Sequence, residues 1–524
     1  MTARRLPVLV LLALAIAALV VVDRSSTTSV SSGAPQTTSL MPVATRAGAL
    51  SSAFYCAGGA ATTGAIFDTT LAIANPGSNE AKVIVTVYPA ALPSDAAGMA
   101  AVAALKPVRR AFVVGAHTRA DVHLADIQAS PFAAALVETS SPDIAVERRV
   151  ASADRASTSS SPCASSASDS WYLPTGTTTR DARELLAVFN PFPAAAVIDV
   201  SFQTSDGYRN PPELQGFPIP GGQLRILDVS AAAPRIEQLA GTVSVRTGRV
   251  IVDRLQSFDG SEPTHPAGLA ATLGAPAPSP VWTFGTGEVA DGLNETVTVM
   301  NPSDTDVQAQ LEVVLDDPAT NGAVDPIPVT VPARGYAQLP MRDQTRIPPG
   351  VEHSVTVRAL NGGNVVAERV MTAAAPDSHR GYAPSIGAPL VASRWVLADG
   401  RAIPGQVGEY VMVVNPDQDA IARVRITGLL DGNATPIDGL QDVEVPPGGR
   451  ITLQLAQHIS DDNVPVLVEA DRDVVVERGL YAGKGKGISL AAGIPIPSSA
   501  ALPVVTPVST TTTTGVPPPP PPSS

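Results

Sequence analysis

The chain has 524 residues, 44% of them hydrophobic and only 16% charged, with 42 glycines and 50 prolines. That length holds several domains of ordinary size, and the mix suits many short strands between turns rather than long helices. The net charge of −13 excludes a nucleic-acid binder, which needs a basic face to meet phosphate.

The N-terminus sets the expected compartment. "MTARR" precedes an uncharged apolar run, Leu6–Val22, and "DRSS" follows it. Two arginines before such a run hold that end in the cytoplasm. The run is long for the core of a cleaved signal and at the short end of a spanning helix, which needs about 17–25 residues. Residues 1–23 therefore read as a signal anchor through residues 6–22, with a cleaved secretory peptide as the alternative. Either way the rest of the chain is expected outside the cytoplasm, at the cell membrane or secreted. Residues 24–52, rich in Ser and Thr, read as a linker.

Four copies of one plan follow. "LAIANP", "LAVFNP", "VTVMNP" and "VMVVNP" place Asn75, Asn190, Asn301 and Asn415 at spacings of 115, 111 and 114 residues, each followed by Pro76, Pro191, Pro302 or Pro416. A period of that size is a repeat of whole domains, too long for propeller blades. Two and four residues before each Asn the chain is always aliphatic, the mark of a half-buried strand. Proline has no N–H to donate and Asn can bond its own following backbone, so Asn-Pro ends a strand and opens a turn.

Each copy opens on an aromatic and a Gly turn: "FYCAGG" (54–59), "WYLPTG" (171–176), "WTFGTG" (282–287) and "WVLADG" (395–400). Each ends in what reads as a hairpin, whose second arm carries an acid followed by arginine: Glu147-Arg148, Asp253-Arg254, Glu368-Arg369 and Glu477-Arg478. Adjacent strand residues point to opposite faces, so the two members of a pair must serve two different surfaces. A cross-strand or strand-to-linker salt bridge plus a solvent-facing charge is the expected arrangement. Trp171, Trp282 and Trp395 are candidate sugar-stacking platforms, although packing inside or between domains accounts for them more simply.

Six or seven short strands per copy give an all-β chain of four tandem immunoglobulin-like or fibronectin-III-like β-sandwiches at 53–155, 171–272, 281–391 and 394–497, strung as a rod. Residues 156–170, "ASTSSSPCASSASDS", read as a linker, and the Thr/Pro-rich 503–524 as a disordered tail. Cys56 and Cys163 are the only cysteines. In an exported chain two cysteines make one disulfide, here tying the two ends of the first domain together.

The openings "WYLPTG", "WTFGTG" and "FYCAGG", each running into an aliphatic strand and Asn-Pro, resemble a family of exported actinobacterial repeat proteins whose role is not established. The resemblance covers about residues 54–495 and rests on the fourfold order of short motifs. It implies a cell-envelope setting and carries over no catalytic residue. Phe54 departs from the Trp of the later copies, and Cys56 from their Leu or Phe.

No nucleophile elbow, HExxH, P-loop or SxxK motif occurs. His117 and His123 could share a strand face but lack a third ligand, so no metal or cofactor is expected. The function expected is therefore non-enzymatic: a structural, adhesion or scaffold protein facing an envelope protein or polysaccharide. The alternative is a glycan-binding accessory of envelope polysaccharide assembly.

Overall fold

The computed structural model describes residues 40–497 apart from 47–48, 50, 155–156, 263–264, 317–323 and 483–486. The anchor segment 6–22 and the tail 503–524 lie outside the described residues. No helix among the described residues is long and apolar enough to cross a membrane.

The first sandwich shows the plan. Its strands are β1 (Ser52–Cys56), β2 (Asp68–Asn75), β3 (Ala81–Ala90), β4 (Val108–Val114), β5 (Thr118–His123), β6 (Phe132–Thr139), β7 (Ala145–Ala151) and β8 (Thr158–Pro162). They form two antiparallel sheets, β1-β6-β3-β4 and β5-β2-β7-β8. Period-two patterning fills the gap between them: Leu71 and Ile73 of β2 meet Val83, Val85 and Val87 of β3 in one core with Val137 and Val146. The third copy repeats both strand orders with its own eight strands, and the second does so with one extra short strand, Gly207–Arg209. In the fourth, the sixth and seventh strands fuse into one, Val466–Ala482, which pairs in both sheets. The protein is thus all-β, built of four sandwiches.

Three expectations change. The closing "hairpin" of the first copy is an arch, because β6 and β7 lie in opposite sheets. Sandwich 1 does not end at 155: Thr158–Pro162, read as linker, is β8 and pairs with β7 from Ala151↔Thr158 to Glu147↔Pro162. Cys163, immediately after β8, is bonded to Cys56 at the end of β1, with Cα atoms 4.8 Å apart. Finally, the sandwiches are not strung end to end. The eighth strands Thr158–Pro162, Gly268–Leu273, Gly381–Ile386 and Ile488–Ala492 each pack against the next, and the last packs against the first. Four sandwiches therefore close into a ring around these strands.

Composition explains why the linker reading failed. The stretch at 158–162 is TSSSP, and Ser159, Ser160 and Ser161 are buried on the ring's inner side. Small side chains let four strands approach one axis, as Gly, Ala and Ser do in the other three copies. Residues 40–45, assigned to the 24–52 linker, also belong to the ring. Leu40, Met41 and Pro42 line a small axial pocket of about 60 Å³ with the ends of the eighth strands. Ala44 N–H donates to Pro495 O and Thr45 N–H to Ile144 O, both at 3.0 Å, so this segment bridges the last sandwich and the first.

Candidate functional site

The acid-Arg pairs sit on the seventh strand of each sandwich, and each pair does split between two faces. The arginine turns into its own sandwich and the acid reaches the preceding one. Asp253 binds Arg148, Glu368 binds Arg254, Glu477 binds Arg369, and Glu147 binds Arg478. The expected cross-strand or linker bridge is thus replaced by four bridges between sandwiches, and the expected solvent-facing charge is absent. All eight groups are buried, the most exposed being Glu477 at 4%. The order runs 1–2, 2–3, 3–4 and 4–1, a closed cycle.

Each carboxylate also caps the Gly turn that opens the preceding sandwich. Asp253 Oδ2 accepts from Gly58 N–H at 2.8 Å. Glu368 Oε2 accepts from Thr175 N–H at 3.0 Å and from its hydroxyl at 2.7 Å. Glu477 Oε2 accepts from Gly285 N–H at 2.5 Å and Thr286 N–H at 3.2 Å. Glu147 Oε2 accepts from Asp399 N–H at 2.5 Å and Arg478 Nη1 at 2.6 Å. Arginines reach back to their own eighth strand as well: Arg148 to Ser161 Oγ at 2.9 Å and Arg369 to Ser385 Oγ at 2.8 Å. Burial works against the charge of Arg478, but Glu147, Asp399 and Glu409 outweigh it and raise its pKa. A buried charge without such partners would neutralise or disrupt the fold, so each pair enforces the correct neighbour.

A second buried series escaped the sequence reading. Six residues before each Asn stand Thr69, Glu184, Glu295 and Glu409, all buried beneath the last glycine of the opening turn. A methyl on Gly176 would overlap the Glu184 carboxyl, and one on Gly287 would overlap Glu295; close approach, not turn geometry, requires glycine there. Burial pushes Glu184 and Glu409 up to about 8. Alignment on Asn-Pro would have exposed the series.

The first and last sandwiches are not consecutive in sequence, and the 4–1 seam between them carries a further buried polar network. Asp399 Oδ1 accepts from Arg149 Nη1 at 2.5 Å and lies 3.7 Å from Arg119 Nη1. Its other oxygen accepts from the Ser160 hydroxyl. Arg119 donates to Gly400 O at 2.8 Å. Burial alone would raise Asp399, but Arg149, Arg119 and Arg478 hold it below the usual carboxylate range.

The Asn-Pro residues form brackets. Asn301 Nδ2 donates to Thr305, Val331 and Pro332 carbonyls at 2.7, 3.1 and 3.2 Å, and its Oδ1 accepts from Ser303 N–H at 3.0 Å. Asn75 and Asn415 make the same set, and Asn190 the same with one fewer donated bond. Asn-Pro therefore ends its strand and also pins the turn before the fifth strand.

The tryptophans do not offer stacking faces. Trp171, Trp282 and Trp395 are at most 1% exposed, inside their own sandwich cores. Their indole N–H groups donate to Val250, Val365 and Ala392 carbonyls, so burial leaves nothing polar unsatisfied. The sugar-stacking assignment to these three residues is withdrawn. His117 sits in a turn with φ 49°, and His123 pairs with Asp68 at 2.5 Å; the structure does not bring the two into one ligand set.

Among known proteins, a family of unknown function (DUF5719) matches residues 126–263, a stretch that contains both Arg148 and Asp253. No curated protein matches the chain. Three solved structures show partial likeness. The Anabaena sensory rhodopsin transducer is 21% identical over 17% of this chain and 94% of its own, with a TM-score of 0.16. Thermotoga maritima 1070 is 17% identical over 21% and 94%, at 0.18. A tetra-tandem repeat from the extending region of a large adhesion protein is 12% identical over 84% and 99%, at 0.10. At these scores the likenesses carry no argument.

Proposed function

We propose that the protein is a non-enzymatic, extracytoplasmic ring that serves the cell envelope as a scaffold or adhesion head, presenting preassembled surfaces to an envelope protein or polysaccharide. The observation that carries this is the closed cycle of four buried acid-Arg pairs. A rod of independent domains samples many shapes, whereas four sandwiches locked into register offer one, and a preorganised surface loses less entropy on binding. The disulfide between Cys56 and Cys163 fits an oxidising compartment. The apolar run at residues 6–22 would anchor the ring to the membrane in a single pass.

Co-sedimentation of the full chain with isolated cell-wall sacculi, with and without their secondary polysaccharides, tests this reading. Binding to either preparation supports an envelope role. Absence of binding to both, together with no membrane-proximal crosslinked partner, would overturn it.

A further inference from the structure

The ring provides four versions of one position, and comparing them isolates a site. At every junction the opening turn of one sandwich faces the second and seventh strands of the next. The residue five before the Asn and the residue one after the Arg stand directly opposite each other there. The pairs are Leu185 with Leu255 at the 1–2 junction, Thr296 with Val370 at 2–3, Tyr410 with Gly479 at 3–4, and Thr70 with Arg149 at 4–1.

Two of the other junctions are filled, and the 4–1 junction keeps a smaller pocket of about 210 Å³ whose lining is charged, with Asp68, Arg149 and Arg401 beside Thr70. Leu185 and Leu255 belong to one apolar cluster with Ala57 and Phe67. Tyr410 packs edge-on against Tyr481 at 5.3 Å, and His379 against Tyr481 at 5.0 Å. Arg149 is committed to Asp399. At 2–3 the small Thr296 and Val370 leave a cleft of about 460 Å³, within the range of small-molecule sites.

Its lining is specific. Phe258, Tyr336 and Tyr382 supply aromatic surface, and Gln238 and Gln338 supply amides. No described lysine or arginine lines the cleft; its titratable residues are Glu237 and His265, and His265 is already paired with Asp181 at 2.8 Å, so an anion finds no uncommitted counter-charge there. Thr298 also lines it; it is fully buried, and its hydroxyl has no partner among the described residues. The equivalent residues, three before the Asn, are Ala72, Ala187 and Met412. A buried hydroxyl without a partner costs free energy, and only this copy carries one, against the open cleft.

We infer that the cleft between the second and third sandwiches is a binding site for a neutral polyhydroxylated ligand, a saccharide unit, with aromatic surface against its C–H faces and Thr298 and the amides meeting its hydroxyls. The inference does not depend on the scaffold reading, and it places sugar recognition away from the buried tryptophans.

The test is ligand-observed NMR titration of the full, disulfide-bonded chain with D-glucose, D-galactose, D-mannose and D-arabinose. At least one sugar gives saturable binding. The double variant T296Y/T372Y, which copies the side chains of Tyr410 and Tyr481 into the 2–3 cleft, abolishes it without changing the thermal midpoint. T298V, which removes only the hydroxyl, weakens binding by about two- to tenfold. If T296Y/T372Y fails to fold, T298V decides alone. No saturable binding by any of the four sugars, or wild-type binding by T298V or by a folded T296Y/T372Y, overturns the inference. A T296Y/T372Y chain that loses sugar binding but still sediments with sacculi separates this site from the envelope role.

Discussion

Glu147 and Arg478 are 331 residues apart in sequence and 2.6 Å apart in the fold. That bond completes the cycle of acid-Arg pairs, because it joins the first sandwich's acid to the last sandwich's arginine, alongside the other contacts of the 4–1 seam. Removing one partner of a buried pair strands the other charge, which costs about 3–5 kcal/mol. Arg478→Met is therefore expected to lower the unfolding free energy by that order, measured by urea denaturation. Glu147→Leu added to Arg478→Met should restore much of the loss, since an apolar pair replaces an ionic one without a stranded charge. A single variant as stable as wild type would show that the 4–1 pair does not stabilise the ring.

The same seam should open in acid. Asp399 has a folded-state pKa below its unfolded value of 3.8, so its stabilising contribution is present above pH 3.8 and is lost as pH falls through the depressed value. Stability should drop below pH 4, and the drop should be smaller in Asp399→Asn, which is also less stable at pH 7 because Arg119 and Arg149 lose their shared anion. Urea midpoints from pH 7 to pH 3 read both effects. If the curves of the wild type and of the Asp399→Asn variant run parallel through this window, Asp399 drops out of the account.

Part of this was legible in the sequence and part was not. Strand alternation before Asn-Pro is a local pattern, so the four sandwiches could be read from hexamers such as "VTVMNP". The adjacency of acid and arginine showed that two surfaces were served, because neighbouring strand residues diverge. It could not show that the second surface belonged to another copy, since nothing local encodes a contact such as that of Arg254 with Glu368. Ser159, Ser160 and Ser161 misled for a related reason: small polar residues make flexible linkers, and they also let strands crowd an axis. Thr298 and the buried Glu series emerge only when the copies are compared position by position.

Glu184 and Glu409 act in the opposite sense to Asp399. Burial lifts both from 4.5 to about 8, so the folded state favours their protonated form. Their contribution is greatest below pH 4.5 and is lost as pH rises from there to about 8. Glu184→Gln with Glu409→Gln keeps neutral, hydrogen-bonding side chains of similar shape under Gly176 and Gly400. The double variant should gain stability over wild type as pH rises from 5 to 9, with little difference at pH 4.5. Thermal midpoints across that range provide the measurement, and a constant offset between the two proteins would refute the assignment.

The Asn brackets give the last prediction. Asn301 donates to three carbonyls and accepts from one N–H, and it is fully buried. Asn301→Ala removes these bonds at a cost of about 1–3 kcal/mol, although the Thr305 and Pro332 carbonyls keep the Ser303 hydroxyl and the Gly335 N–H as donors. Asn301→Asp should be worse at neutral pH, because a carboxylate of nearly the same shape places negative charge against the Thr305, Val331 and Pro332 oxygens. Protonation relieves that repulsion, so the aspartate variant should approach the alanine variant as pH falls toward 4. Equilibrium unfolding at pH 7 and pH 4.5 distinguishes the two. If alanine and aspartate are equally destabilising at both pH values, the bracket works by shape rather than by donating hydrogen bonds.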